Sequence, residues 1–216
     1  MKIHTRTLMR TPMRNEKPLL ALTRRGFGLG LGAAALMAMP RPSLALTVDG
    51  ARDLVGQAVA DVNAVINSGK SETAMYGDFE RIFAKYADVP NIARAALGPA
   101  SRTASKAQLA AYTKAYQGYL SRKYGRRFRE FIGGTIEVTG ARPVQSFYEV
   151  SSLAKLRGQA PFDLRWLVSD KSGKSLFFNL IIEGVSMRNS EQTEIGAMLD
   201  KNKGNIDALI ADLQRI

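Results

Sequence analysis

The sequence predicts an α+β domain in which a twisted, four-stranded antiparallel sheet is wrapped by helices. Three observations predict it. Four segments of strand character, 135–142, 145–156, 162–169 and 175–185, follow one another across short joints rich in Gly, Pro, Asp and Ser. The segments before and after them carry apolar residues at helical spacing. Finally, Lys174 to Met187, KSLFFNLIIEGVSM, is the longest apolar run outside the N-terminal leader. Its Phe177, Phe178, Leu180, Ile181, Ile182 and Val185 read as a strand buried on both faces and therefore as the centre of the sheet. Gly184 inside the run predicts a bulge or a close backbone approach.

Residues 1–45 have the form of an export leader. A basic, acid-poor segment leads to Thr23-Arg24-Arg25-Gly26-Phe27, a twin-arginine pattern. The apolar stretch 26–39 is too short to span a bilayer, and Ser43-Leu44-Ala45 places small residues where cleavage after Ala45 would need them. An uncleaved anchor or a basic tail is the other reading of the same residues. The folded part is expected to be a single domain over 46–216.

Within that domain, Leu54, Val55, Ala58, Val59, Val62 and Ile66 predict a helix over 51–67 with Asp49 as its N-cap. Met75, Phe79, Ile82, Phe83 and Tyr86 predict a second over 71–86, and Pro90 is expected to break the pattern before a short helix over 91–97. The longest helix starts at Ser105, where Ser105 and Gln108 match a capping box. Its stripe runs through Tyr112, Tyr116, Tyr119, Tyr124, Phe128 and Phe131, and the helix could extend to Ile132. Gly118 and Gly125 inside it are costly for a helix and predict a bend. In the third strand, Phe162, Leu164, Trp166 and Val168 alternate with Asp163, Arg165, Leu167 and Ser169 and are expected to face the core. Two short helices, 189–201 and 205–215, close the domain.

Composition narrows the chemistry. The net charge of +12 suggests an anionic partner, but residues 1–45 hold eight of the 31 Lys and Arg and one of the 19 acidic residues, which leaves +5 elsewhere. An export leader also argues against a nucleic-acid partner. There is no cysteine, so disulfides and thiolate metal sites are excluded. The one histidine, His4, lies in the leader, so the domain has no imidazole for a Ser-His-Asp or Cys-His site. Asp163, Asp170, Glu149 and Glu183 fall on or near the strands, yet no spacing singles out a catalytic pair. The tyrosine stripe admits two readings, ordinary core or the wall of an apolar cavity; the amount of apolar surface seeking burial favours a hollow. The cluster Arg122, Lys123, Arg126, Arg127 and Arg129 is either a solvated helix face or a phosphate contact.

Several segments together resemble one family. Glu183-Gly184-Val185-Ser186-Met187 after an apolar strand, Ala197-Met198-Leu199-Asp200 ending the next helix, Ile92 to Gly98, and Tyr119 to Phe128 are similar to the MlaC, or toluene-tolerance, family of periplasmic phospholipid-binding proteins. The chain departs from the family's pattern at Asn179 and after Met187. The resemblance implies a periplasmic, non-enzymatic carrier with no cofactor or metal. It would hold phospholipid acyl chains in an apolar cavity and shuttle lipid between an outer-membrane lipoprotein complex and an inner-membrane ABC transporter bearing an MCE-domain protein. Another membrane lipid such as a hopanoid, or a non-lipid interaction protein with a solid core, are the alternatives. Candidate lipid-lining residues are Phe79, Phe83, Tyr116, Phe128, Trp166, Phe178, Leu180 and Val185. Candidate head-group contacts are Arg122, Arg126 and Arg127.

Overall fold

The first helix is set by its cap. In the computed structural model, which describes residues 45–127 and 131–216, α1 spans Val48–Ile66. The expected leader lies outside the described residues apart from Ala45. The N-cap of α1 is Thr47 rather than Asp49: its Oγ1 accepts from the Gly50 amide at 3.0 Å. Asp49 sits in the first turn instead, where a carboxylate favours the positive end of the helix. Ala51, Val55, Ala58, Val59, Val62 and Ile66 form the buried stripe.

Ser71 caps α2 (Glu72–Tyr86), which buries Met75, Phe79 and Tyr86. Pro90 does not separate two helices at its own position. It occupies the first turn of α3 (Val89–Leu97), where its missing N–H has no helical partner to lose, and Asp88 provides the cap. Gly98, at φ 63°, leads into a 3₁₀ turn over Gly98–Arg102. The long helix α4 covers Lys106–Arg127. Its capping box is reciprocal, with the Gln108 amide donating to Ser105 Oγ and the Ser105 amide donating to Gln108 Oε1, each at 3.1 Å. Gly125 has a packing role: a Cβ there would run into the Tyr76 ring, so its absence lets α2 and α4 approach.

The sheet has five strands, not four, in the order β1 (Thr135–Val144), β2 (Phe147–Lys155), β3 (Phe162–Ser169), β4 (Leu176–Ile182) and β5 (Val185–Ser186). Every neighbouring pair is antiparallel. The extra strand comes from the turn at Glu183 and Gly184, both at positive φ (48° and 83°). That pattern is the one a two-residue type I′ hairpin requires. It folds Val185 back against Ile182 and Ser186 against Ile181, instead of prolonging one strand to 185.

The apolar run is therefore not the centre of the sheet, since its neighbours are β3 and the two-residue β5. The irregularity predicted at Gly184 lies in β4 itself. The register with β3 shifts so that Leu167 faces Asn179 but Val168 faces Phe177, which leaves Phe178 as the extra residue. Through this shift Phe177 and Leu180 both pair with inward residues of β3, Val168 and Trp166. In β3, Leu164, Trp166 and Val168 are buried as the alternation predicts, with Phe162 half-buried.

Helix α1 lies against β1, β2 and β3, while α3 and α5 (Met187–Lys201) pack on β4. Helix α2 packs against α1 and α4, and α4 against α6 (Ile206–Arg215). The chain also ties α2 and α3 to the sheet at their junction, where the Asp88 amide donates to the Phe177 carbonyl at 2.8 Å.

Candidate functional site

The side chains that β3 and β4 turn inward do not all meet helix. Between them and helices α1, α2, α4 and α5 lies a pocket of about 600 Å³. Its floor is Leu164, Trp166, Phe177, Leu180 and Ile182 from the sheet, and its walls include Ala58 and Val62 of α1, Phe79, Ile82 and Phe83 of α2, and Tyr116 and Leu120 of α4. The volume is within the range of sites that enclose most of a small ligand. Aromatic rings of the lining meet edge to face: Trp166 on Phe177 in the floor at 5.2 Å, and Phe131 on Phe162 at 6.1 Å. The indole N–H of Trp166, which would otherwise be an unmet donor in an apolar setting, donates to Ser152 Oγ at 3.1 Å.

Four of the lining residues are exposed: Gln159, Ala160, Glu183 and Arg188. They mark where the pocket meets solvent, between the β2–β3 loop, the β4–β5 turn and the first turn of α5. Asn179 joins the last two. Its side chain donates to Ser186 Oγ at 3.0 Å and accepts from the Arg188 amide at 3.1 Å, holding the start of α5 to β4.

The wall between α4 and α5 is polar within. Glu191, 2% exposed, accepts from Lys123 Nζ at 2.7 Å and from the Tyr124 hydroxyl. Lys123 also pairs with Glu194, which accepts from the Tyr119 hydroxyl. Burial pushes the phenols of Tyr112, Tyr116 and Tyr119 well above the ordinary tyrosine range, and the carboxylates of α5 add to the shift. These tyrosines are therefore neutral at physiological pH. They supply apolar ring surface, and Tyr116 brings its ring to the pocket.

Of the residues predicted to line a cavity, Phe79, Phe83, Tyr116, Trp166, Phe178 and Leu180 are brought together around this pocket. Phe128 lies outside the described residues. Val185 does not line the pocket: the hairpin turn carries it to the surface, 57% exposed. Two of the predicted head-group arginines are placed elsewhere. Arg122 donates to the Leu213 carbonyl at 2.7 Å and Arg126 to the Ile216 carbonyl at 2.6 Å, so both secure the C-terminal helix, and neither lines the pocket. The side chain of Arg127 lies outside the described set.

Leu164, Phe177, Arg188 and Glu191 also line the pocket and are not among the lining residues expected from the sequence. The alternation of β3 already singled out Leu164 as inward. Phe177 required knowledge of the register shift, and Arg188 required knowledge of the hairpin that brings the start of α5 to the pocket. Among the described residues no helix is long and apolar enough to cross a membrane.

Comparison with known proteins bears on this geometry. The family model described as MlaC protein matches residues 56–215. Among solved structures, the chain is similar to a phospholipid-binding protein from Ralstonia solanacearum, solved in complex with a phospholipid. The TM-score is 0.66 and the sequence identity 19%, and the match covers 76% of this chain and 95% of the other. At that identity the likeness concerns the fold.

Proposed function

From the premise that this chain belongs to the MlaC family, we propose that it is a phospholipid-binding protein that carries its ligand's acyl chains in the pocket between sheet and helices. The observation that carries the reading is the pocket itself, about 600 Å³ with a lining dominated by Phe, Trp, Leu, Ile and Val. The phospholipid held by the structural neighbour from Ralstonia solanacearum supports it.

The physical logic is that of a sleeve. Each methylene exposed to water costs about 0.8 kcal/mol, so a free acyl chain does not cross an aqueous space at a useful rate. A shell that is apolar within and charged without removes that cost while remaining dissolved. The chemistry asked of the protein is transfer without bond making. Glu191, buried beside the pocket, is engaged with Lys123 and Tyr124.

By this reading the protein works in the periplasm after export on the leader 1–45. It moves lipid between an outer-membrane lipoprotein complex and an inner-membrane ABC transporter with an MCE-domain protein. Native mass spectrometry of the purified protein tests the reading. A co-purifying lipid mass, and uptake of lipid from vesicles by delipidated protein, are the expected results. Absence of both overturns it. Extraction and mass analysis of the bound lipid identifies it and separates a glycerophospholipid from a hopanoid.

A further inference from the structure

We propose that the pocket mouth selects a phospholipid with a zwitterionic head group, its phosphate taken by Arg188 and its ammonium by Glu183. This rests on the phospholipid-binding reading and deepens it by naming the head-group class. Of the charged side chains that line the pocket, Glu191 is buried and paired with Lys123, whereas Glu183 and Arg188 are exposed at the opening. Neither side chain has a hydrogen-bond or ion-pair partner among the described residues, and the two are not paired with each other.

The backbone holds both in place. Glu183 sits at φ 48° in the hairpin turn, with its amide donating to the Asp163 carbonyl at 3.0 Å. Arg188 is in the first turn of α5, fixed through its amide to Asn179 at 3.1 Å. The positive end of α5 adds to the guanidinium charge at the same point of the rim, and Arg offers the paired donors that phosphate oxygens accept. One cation and one anion at a single opening, unpaired among the described residues, match a ligand that carries both charges. An anionic head group without an ammonium would meet Arg188 favourably and Glu183 unfavourably. With acyl chains inside the pocket, the phosphate and its substituent lie at the mouth, where these two residues stand.

The test is uptake by delipidated protein from vesicles that differ only in head group, phosphatidylethanolamine against phosphatidylglycerol with identical chains. The expected wild-type preference for the zwitterion is about fivefold, the scale of one exposed charge pair. Glu183→Gln should abolish the preference, and Glu183→Lys should reverse it. Arg188→Gln should lower uptake of both lipids while leaving uptake of diacylglycerol, which lacks phosphate, unchanged. Both positions are exposed, and circular dichroism checks that each variant folds. Equal wild-type uptake of the two phospholipids, or a preference that survives Glu183→Lys, overturns the head-group assignment and leaves the carrier reading standing. No uptake of either phospholipid overturns both.

Discussion

Two alanines on one face of α1 have opposite surroundings. Ala51 and Ala58 are two helical turns apart, and both are buried, at 0% and 1% exposure. Ala51 belongs to the filled part of the core, while Ala58 lines the pocket. The same contrast holds across the sheet. Val55 and Val59 of α1 and Val150 and Val168 of the sheet are buried away from the pocket, whereas Phe79, Phe83, Trp166 and Phe177 stand around it. Around the hollow, large rings stand beside a few small side chains of α1, Ala58 and Val62. Shape bears on this. Ala and Val let a helix settle onto a sheet, whereas between α2 and β4 the Phe83 and Phe177 rings meet tilted, with centroids 6.1 Å apart. An apolar surface thus encloses a hollow where its side chains are too large and rigid to collapse into it.

The largest effect expected from this contrast is on the hollow side. Leu180→Arg places a charged group on the pocket floor opposite Trp166. Vesicle uptake should fall by more than about tenfold, because a buried guanidinium without a partner excludes hydrocarbon and draws in water. Circular dichroism distinguishes this from unfolding. Full uptake by a folded Leu180→Arg protein would place the lipid elsewhere.

A paired enlargement on α1 sharpens the comparison. Ala51→Phe forces a ring into filled space and should destabilise the protein by roughly 1–3 kcal/mol, as overpacking does. Ala58→Phe projects into open volume, so its cost in denaturant unfolding should be smaller, and it should reduce lipid uptake by occupying the ligand's place. Equal destabilisation at both positions would mean that the pocket is not open in solution.

The converse truncation has a smaller effect. Removing a buried Phe side chain from a filled core costs about 3–5 kcal/mol, in part for the cavity left behind. Phe178 is half-buried and already borders the hollow, with its ring edge-on to Phe147 at 5.6 Å. Phe178→Ala should therefore fall below that range in chemical denaturation. A cost inside the range would show that Phe178 is packed as tightly as the filled region.

The contrast between solid and hollow explains what was legible in the sequence. Patterns that depend on near neighbours could be read: the capping box at Ser105 and Gln108, the buried face of α1, and the alternation of Leu164, Trp166 and Val168. The helical period of Val55 and of Val62 is the same, yet only Val62 borders the pocket, because periodicity records which face is apolar and not how far away the opposing element stands. The register shift at Phe178 depends on pairing with β3 and so could not be read from β4 alone. The turn at Glu183 needed a non-glycine residue at positive φ, which local preference argues against. The sequence alone cannot tell Arg122 and Arg126 from phosphate contacts, because their partners, the carbonyls of Leu213 and Ile216, lie about 90 residues away. That distance hides a structural role. Arg188, at the pocket opening, lies outside the basic cluster of α4.

The smallest effect lies on the solid side, where α1 meets α2. Asp61 of α1 accepts from the Tyr86 hydroxyl at 2.7 Å and from Lys85 Nζ at 3.1 Å, both from α2. The hydrogen bond from Tyr86, then that from Lys85, holds the Asp61 carboxyl below the usual aspartate range. A carboxyl whose folded pKa is depressed stabilises the fold above its unfolded pKa, and that contribution disappears as the pH falls through the folded value. Asp61→Asn should therefore be slightly less stable than the wild type at neutral pH, by well under the cost of Ala51→Phe because the pair is largely in water. The gap should close as the pH drops below about 4, while lipid uptake at neutral pH stays unchanged, since Asp61 is not part of the pocket lining. Thermal unfolding of both proteins across that range measures it. A gap that persists at low pH would mean that Asp61 acts through packing rather than charge, and a loss of uptake would mean that the α1–α2 contact helps to hold the hollow open.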